Sequence, residues 1–197
     1  MIVNFAESAI TTEEELRNIV GSPHKNVVNK TISIIDEHCK NFIAKSPLLF
    51  LATADSKGHC DVSPRGDEPG TVLVLNDHQL VLPDRPGNKR LDSISNILLN
   101  PQVGLLFLIP GLEDVLRING RATIIKNDDI LNQMSLKGKK PLLGIGIDVD
   151  EAFIHCPRAL NQSNIWNHES WEDKETLPTL MEIFHAHLKI NGVEVKA

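Results

Sequence analysis

The sequence of 197 residues is poor in the residue types that build disulfide frameworks, metal sites and membrane spans. It contains three cysteines, two tryptophans and no tyrosine. Cys39, Cys60 and Cys156 are odd in number and widely spaced, which argues against a disulfide framework and against a paired zinc-ligand motif. The longest apolar run, residues 103–109, is far too short to cross a membrane. No secretory signal opens the chain, so we expect a cytoplasmic protein with reduced cysteines and no membrane partner.

Several catalytic and nucleotide-binding motifs are also missing. The chain has no G-x-S-x-G nucleophile elbow and no H-E-x-x-H zinc motif. Gly87 stands alone where a Walker loop needs a second glycine, and Gly144-Ile145-Gly146 lacks the third glycine of a dinucleotide fingerprint. His185 and His187 lie two residues apart on a predicted helix, so they face different directions. We therefore expect no metal site, and the sequence singles out no nucleophile or general base.

The overall charge is acidic, but one segment is basic. The net charge is −6 and the pI is about 5.7, which argues against nucleic acid as the main partner. The hydrophobic fraction of 41% is sufficient for a core, and the length suits one domain. Arg85, Lys89 and Arg90 form a local basic cluster in this acidic chain. The contrast favours a small anionic ligand over a polyanion.

Short apolar segments with strand-like patterns dominate the middle of the chain. They predict strands at 48–54, 59–63, 71–75, 79–82, 103–109, 115–125 and 142–149. Helices are predicted at 12–21, 25–43, 89–99, 128–131 and 177–188, with a turn or helix at 153–160. Because most consecutive strands have no helix between them, an antiparallel barrel is favoured over a doubly wound sheet. We expect an N-terminal helical segment (1–45), a barrel core (46–150) and a C-terminal helical segment (151–197) that packs on the barrel, all within one domain.

Residues 82–92 place three cations near the predicted start of a helix. Asn88 is a good N-cap, so Lys89 and Arg90 would lie in the first turn, where the helix dipole is already positive. A phosphate would compensate this charge by accepting hydrogen bonds from free backbone N–H groups and from Arg85, Lys89 and Arg90. The alternative is a proline-rich turn followed by a solvated, charged helix start.

A second polar segment, residues 61–70, follows a predicted strand. Ser63 and Arg65 would offer hydrogen-bond donors to a planar or anionic ligand at the strand end. Alternatively, the segment is a surface turn in which Arg65 pairs with Asp67 or Glu68, worth about 1 kcal/mol at most. Considered alone, the segment favours the surface turn. For Trp166, packing in the core or at an interface is favoured over a position beside a ligand pocket.

Seven segments, taken in order, carry a resemblance to a known family. They are FLATAD (50–55), GHCDVSPRGD (58–67), LPDRPGNKRLDS (82–93), NIL (96–98), PQVGLLF (101–107), LRINGRA (116–122) and EAFIHC (151–156). In this order they resemble the FMN-binding split-barrel family related to pyridoxamine 5′-phosphate oxidase, and in particular a subgroup of FMN-dependent proteins. The resemblance covers residues 25–170, and the ordered set is far more specific than any single motif.

The resemblance implies a six-stranded antiparallel split β-barrel, mainly β with flanking helices. It also implies a homodimer that holds FMN in clefts between the subunits. Nine positions match the family's cofactor-binding segments. The family's phosphate-binding segment corresponds to Asn88, Lys89 and Arg90, and the strand along the flavin ring and ribityl chain corresponds to Ser63, Pro64 and Arg65. The strand end before the phosphate loop corresponds to Pro83 and Asp84. A further strand near the cofactor carries Arg117.

Two departures from the family pattern bear on the substrate. The chain lacks the C-terminal arginine and histidine signature with which pyridoxamine phosphate oxidases hold their substrate phosphate, and Asn164 stands where closer relatives carry a basic residue. We therefore expect an FMN-dependent oxidoreductase for an unidentified small molecule, with hydride passing between substrate and flavin. The alternative is a non-catalytic protein that binds or carries flavin, deazaflavin or haem. His59 and Arg65 are the first side chains to test near the flavin.

Overall fold

The computed structural model of the protein describes residues 3–194. Residues 1–2 and 195–197, at the ends of the predicted N- and C-terminal helical segments, lie outside the described part. The chain divides into two compact units, Met1–Cys156 and Pro157–Ala197. Among the described helices, none has both the length and the apolar composition that a membrane crossing needs.

One antiparallel sheet forms the centre of the first unit. Its seven described strands are β1 (Leu48–Ala54), β2 (Cys60–Gly66), β3 (Leu73–Asn76), β4 (Gln79–Asp84), β5 (Gln102–Leu108), β6 (Val115–Ile125) and β7 (Leu143–His155). Their order across the sheet is β2-β1-β5-β6-β7-β4-β3. The mainly β, antiparallel fold with flanking helices is confirmed and is consistent with a split barrel, although the described sheet has seven strands where the resemblance implies six.

Alternating burial along the strands places the main core on one face of the sheet. In β1, the side chains of Leu49, Leu51 and Thr53 are buried and their neighbours are half-buried, as the period of two requires. The helices α3 (Glu37–Lys45) and α4 (Asp92–Leu99) add Ile43 and Ile97 to this core. A smaller cluster forms where α5 (Asp128–Gln133) packs with β4.

One of the two predicted N-terminal helices is interrupted. α1 (Glu13–Val20) agrees with the prediction, but the continuous helix predicted at 25–43 is wrong, since α2 (Lys25–Asn29) ends eight residues before α3 begins. Ile32 between them forms an antiparallel bridge with Ala152 of β7. Asp36 then caps α3 by accepting the N–H of Cys39 at 2.8 Å. The β-branched residues at 31–35 suit this extended break better than a helix.

β7 is longer than the sequence predicts. The turn or helix expected at 153–160 is wrong at its start, because β7 continues to His155 and pairs there with Val115 of β6. The bridge to Ile32 occupies the other edge of β7 at Ala152. The helix α6 (Arg158–Ser163) follows in the second unit. Pairing on both edges therefore decides the conformation of a segment whose local sequence is ambiguous.

The second unit contains α6, two short 3-10 turns and α7 (Leu180–Ile190). A capping box opens α7: Thr179 Oγ1 accepts the N–H of Glu182 at 3.2 Å, and Glu182 accepts the N–H of Thr179 at 2.9 Å. Both tryptophans lie in this unit, where Trp166 is half-buried and Trp171 Nε1 donates to the Ile165 carbonyl at 3.1 Å. The helix predicted at 177–188 is thus confirmed with a slight shift of its ends.

Candidate ligand-binding site

A cavity of about 800 Å³ lies in the first unit, where β2, the end of β4 and the start of α4 meet. Its wall combines apolar side chains, such as Leu48, Val72 and Leu82, with a polar side built from the strand ends. Eight of the nine predicted cofactor-binding residues line it: Ser63, Pro64, Arg65, Pro83, Asp84, Asn88, Lys89 and Arg90. The fold therefore brings two separate sequence segments into one site.

Two ion pairs join the end of β2 to the end of β4 at this cavity. Arg65 Nη1 lies 2.8 Å from Asp84 Oδ1, and Arg85 Nε lies 2.6 Å from Asp67 Oδ2. Because β2 is one edge of the sheet and β4 adjoins the other edge strand, the pairs tie together the two ends of a curled sheet. The surface-turn interpretation is wrong for Arg65, which pairs across the cavity instead of with Asp67 or Glu68.

A chain of hydrogen bonds continues from Arg65 into the start of α4. Arg65 Nε donates to Ser63 Oγ at 3.3 Å, and Ser63 Oγ lies 2.9 Å from Ser93 Oγ. Ser93 Oγ donates to Asp61 Oδ2 at 2.6 Å. Sequence reasoning assigned no role to Asp61 or Ser93. The alternation of β2 could have indicated Asp61, which shares a face with Ser63 and Arg65, but no local signal points to Ser93.

The loop before α4 differs from the prediction. The helix begins at Asp92, so Lys89 and Arg90 lie before it and not in its first turn. Asn88 Oδ1 accepts the N–H of Arg90 at 3.0 Å, which forms a turn and not a helix cap. Lys89 and Leu91 adopt left-handed backbone conformations, with φ of 65° and 61°. These two residues turn the chain sharply and delay the start of the helix.

The start of α4 nevertheless remains favourable for an anion. Leu91 occupies the N-cap position and its side chain cannot accept a hydrogen bond, so the first N–H groups of the helix have no side-chain cap. Arg90 contacts Asp92, with 2.5 Å between Nε and Oδ2, and both side chains are exposed. Among the described residues, Lys89 has no ion-pair partner. The first residues of α4, whose N–H groups have no side-chain cap, and Lys89, which has no ion-pair partner among the described residues, thus line the same cavity.

Arg117 is the one predicted residue that the structure places elsewhere in the first unit. It lies in a second, shallower depression of about 580 Å³ on the outer surface of β1, β5, β6 and β7. Its Nε donates to Asn119 Oδ1 at 3.3 Å, and its guanidinium lies 5.6 Å from the centre of the Phe153 ring. Within one subunit, Arg117 therefore does not join the other eight residues.

His59 also lies away from the cavity. It belongs to the turn between β1 and β2, at the opposite end of β2 from Arg65, and its Nδ1 lies 2.7 Å from Asp55 Oδ2. Hydrogen bonds from the ring and the N–H of His59 lower the pKa of the Asp55 carboxyl. The pair stabilises a turn, and neither residue is in the described cavity lining.

The described cavity lining contains no histidine, cysteine or aromatic side chain. Cys39 lies in the core, where burial raises the pKa of its thiol to about 12 and keeps it protonated. In the described part of the chain, no group of histidine, cysteine, aspartate and glutamate residues is arranged to hold a metal ion. The described side chains of the cavity are thus suited to binding and orienting a ligand.

Comparison with solved structures finds proteins of similar fold. A variant of HupZ from Group A Streptococcus has 18% identity and a TM-score of 0.51, over 61% of this chain and 99% of that chain. A candidate pyridoxamine 5′-phosphate oxidase from Lactobacillus delbrueckii has 21% identity and a TM-score of 0.50, over 62% of this chain and 95% of that chain. No curated protein matches the chain. The model of the pyridoxamine 5′-phosphate oxidase family matches residues 35–156, which include the whole cavity wall, and the chain therefore belongs to this family.

Proposed function

We propose that the cavity binds FMN and that the protein is an FMN-dependent oxidoreductase acting on a small molecule. The observation that carries the proposal is the uncapped start of α4 beside Lys89. A phosphate suits this place, since it accepts several hydrogen bonds and compensates the positive end of a helix. Membership of the pyridoxamine 5′-phosphate oxidase family supports FMN as the molecule that carries the phosphate.

The size and charge of the cavity fit this ligand. A volume of about 800 Å³ falls in the range of roughly 300–1,000 Å³ that is typical of small-molecule sites. The ion pair of Arg90 with Asp92 is exposed and contributes little, so Arg90 can turn toward a phosphate at small cost. Arg65 is held in a half-buried pair with Asp84 and is less free to do so. Lys89, Arg90 and the first N–H groups of α4 are therefore our proposed phosphate ligands, and Asn88 orders their loop.

The remaining cavity residues are proposed to position the rest of the cofactor. When bound, FMN supplies the hydride chemistry, and the protein supplies binding, orientation and exclusion of water. Ser63, Pro64 and Arg65 form one wall, and Pro83 and Asp84 form another. We propose that the flavin ring and ribityl chain lie between these walls.

A homodimer would account for the position of Arg117. We propose that FMN lies in a cleft between two subunits and that Arg117 reaches the cofactor held by the partner subunit. The exposed position of Arg117, outside its own cavity, supports this arrangement. A single subunit would then contribute residues to two cofactor sites.

A second candidate function is non-catalytic binding or transport of a flavin. The absence of histidine, cysteine and aromatic side chains from the described cavity lining favours it, because the carboxylates and Lys89 are then the only evident acids or bases. A carrier needs only the phosphate site and the walls. An oxidoreductase needs in addition a substrate that reaches the bound flavin.

Purification of the full chain tests the proposal. We expect a yellow protein that releases FMN on denaturation, with FMN identified by mass spectrometry, and we expect steady turnover with NAD(P)H or a candidate small molecule. FMN binding without turnover would favour the carrier. A colourless protein that takes up neither FMN nor riboflavin would contradict both functions.

A further inference from the structure

Four hydrogen bonds in the cavity wall form one chain with a carboxylate at each end. Ser93 Oγ donates its only proton to Asp61 at 2.6 Å, so the 2.9 Å bond between the two serine hydroxyls is donated by Ser63. Arg65 donates to Ser63 Oγ at 3.3 Å and to Asp84 Oδ1 at 2.8 Å. Because a carboxylate only accepts and a guanidinium only donates, the direction of each bond in this chain is determined.

We infer that Ser63 presents only a lone pair to the cavity, so the ligand group bound beside it is a hydrogen-bond donor. The Ser63 hydroxyl uses its proton on Ser93 and one lone pair on Arg65. One lone pair remains. A phosphate or carboxylate would be unfavourable there, because its oxygen lone pairs would face the lone pair of Ser63. The sequence-based expectation is that Ser63 donates to a planar or anionic ligand; we infer instead that Ser63 accepts a hydrogen bond from the ligand.

The inference rests on the proposed function and specifies the chemistry of the ligand. A flavin has neutral donors in its ring imide N–H and its ribityl hydroxyls, and a deazaflavin shares them. Haem, with ionised propionates and metal-bound nitrogens, has no comparable donor. The cavity therefore offers two kinds of contact, cationic groups for an anion at Lys89 and a hydrogen-bond acceptor for a donor at Ser63. Asp61 and Ser93 also line the cavity, and we assign them a positioning role because their hydrogen bonds set the direction of the Ser63 hydroxyl.

Burial keeps this chain from rearranging. Ser93 is only 3% exposed, so water cannot readily replace its partners. Asp61, Ser63 and Arg65 are half-buried on one face of β2. If Ser63 turned its proton toward the ligand, its bond to Ser93 would be lost in a buried place, which is unfavourable.

Three flavins that differ in one part each test the polarity of the site. FMN, riboflavin and lumiflavin share the ring; riboflavin lacks the phosphate, and lumiflavin lacks the ribityl chain as well. We expect Ser63→Ala to weaken the binding of FMN and of riboflavin by the same factor, about three- to tenfold, because the lost hydrogen bond involves the part that the two molecules share. Lys89→Ala should weaken FMN alone. An equal loss for lumiflavin would identify the imide as the donor, and no loss would identify a ribityl hydroxyl.

A double-mutant cycle tests the roles of Asp61 and Ser93. Asp61→Ala removes the acceptor of the Ser93 proton and Ser93→Ala removes the acceptor of the Ser63 proton, so each frees the Ser63 hydroxyl to turn and should weaken riboflavin binding by a similar factor. In the Ser63→Ala background, neither substitution should weaken riboflavin binding further. Ser95→Ala, an exposed position on the same helix, is the matched control and should leave all three affinities unchanged. Thermal unfolding verifies that each variant is folded, and Asp61→Ala serves if Ser93→Ala does not fold.

Three results separate the possible failures. If Ser63→Ala weakens FMN but not riboflavin, the phosphate lies at Ser63 and the inference is wrong. Fully additive losses in the cycle would show that Asp61 and Ser93 only support the fold. If the unsubstituted protein binds no flavin at all, the proposed function itself fails.

Discussion

At the level of single residues, Gly120 marks the point where β6 and β7 change register. The pairing shifts between Asn119 and Gly120, which is a β-bulge. A Cβ atom added at Gly120 would lie 2.2 Å from the carbonyl oxygen of Asp148, so the two backbones approach too closely for any side chain. The bulge bends the strand beside Arg117 and thus helps to form the outer depression in which that side chain lies.

We predict that Gly120→Ala lowers the free energy of unfolding by about 1–3 kcal/mol, because β6 or β7 must shift to relieve the overlap. Urea unfolding of the two proteins measures the difference. Gly146→Ala on β7 is the matched control, since its Cβ would find its nearest neighbour at 3.6 Å, an ordinary contact distance. Equal stability of the two variants would show that the close approach is not rigid.

At the level of elements, α3 is fixed to the sheet by its first residues. Asp36 caps the helix through the N–H of Cys39, and these hydrogen bonds lower the pKa of the Asp36 carboxyl. Lys40 Nζ lies 2.9 Å from Asp77 Oδ1 in the β3–β4 turn, and the carbonyl of Asp77 accepts the N–H of Ile35 at 2.6 Å. The anchored helix then covers the core with Ile43.

We predict that Asp36→Ala lowers the free energy of unfolding by about 1 kcal/mol near neutral pH, because the cap is lost. Since folding lowers the pKa of Asp36, its stabilisation is present above the unfolded pKa, near 3.8, and is lost as the pH falls through the folded value. Unfolding measured from neutral pH down to strongly acidic pH should show the difference between the two proteins shrinking below about pH 4. Asp129→Ala, an exposed residue of α5, is the control and should cost less. A difference independent of pH would contradict the role of the ionised cap.

The sequence patterns place most strands well, but they end β7 too early. The apolar run of β1 and the alternating faces of β6 both predict strands, and both strands appear where expected. The helix boundaries at 25–43 and 89–99 are wrong because a bridge to Ala152 and two left-handed residues override local propensity. In the candidate site, the segments that the resemblance identifies do meet. The bond between Ser93 and Asp61 joins residues that are distant in sequence and meet because α4 packs against β2, so no local pattern reveals it.

At the level of the whole molecule, the first unit carries two separate depressions. The cavity holds the uncapped start of α4, and the outer depression holds Arg117. A homodimer that brings the outer depression of one subunit to the cavity of its partner would complete two equal sites. The proposal therefore links the assembly of the protein to its affinity for the cofactor.

We predict that the full chain sediments at about twice its monomer mass of 21.8 kDa. Arg117→Ala should weaken FMN about tenfold or more without dissociating the dimer, because a charged contact to the cofactor is lost. Arg121→Ala is the matched control, since Arg121 lies on the same strand and is exposed, with only a loose 3.7 Å contact to Asp150. A monomer that binds FMN with full affinity would contradict this arrangement.

The location of the two tryptophans has a practical consequence for spectroscopy. The 197-residue sequence contains no tyrosine, and Trp166 and Trp171 both lie in the second unit, so the barrel itself emits almost no intrinsic fluorescence. Tryptophan emission overlaps the absorption of flavins. If the barrel holds FMN, the efficiency of energy transfer from the indoles to the flavin reports the distance between the two units in solution. No label has to be attached, because donor and acceptor are already confined to different parts of the chain.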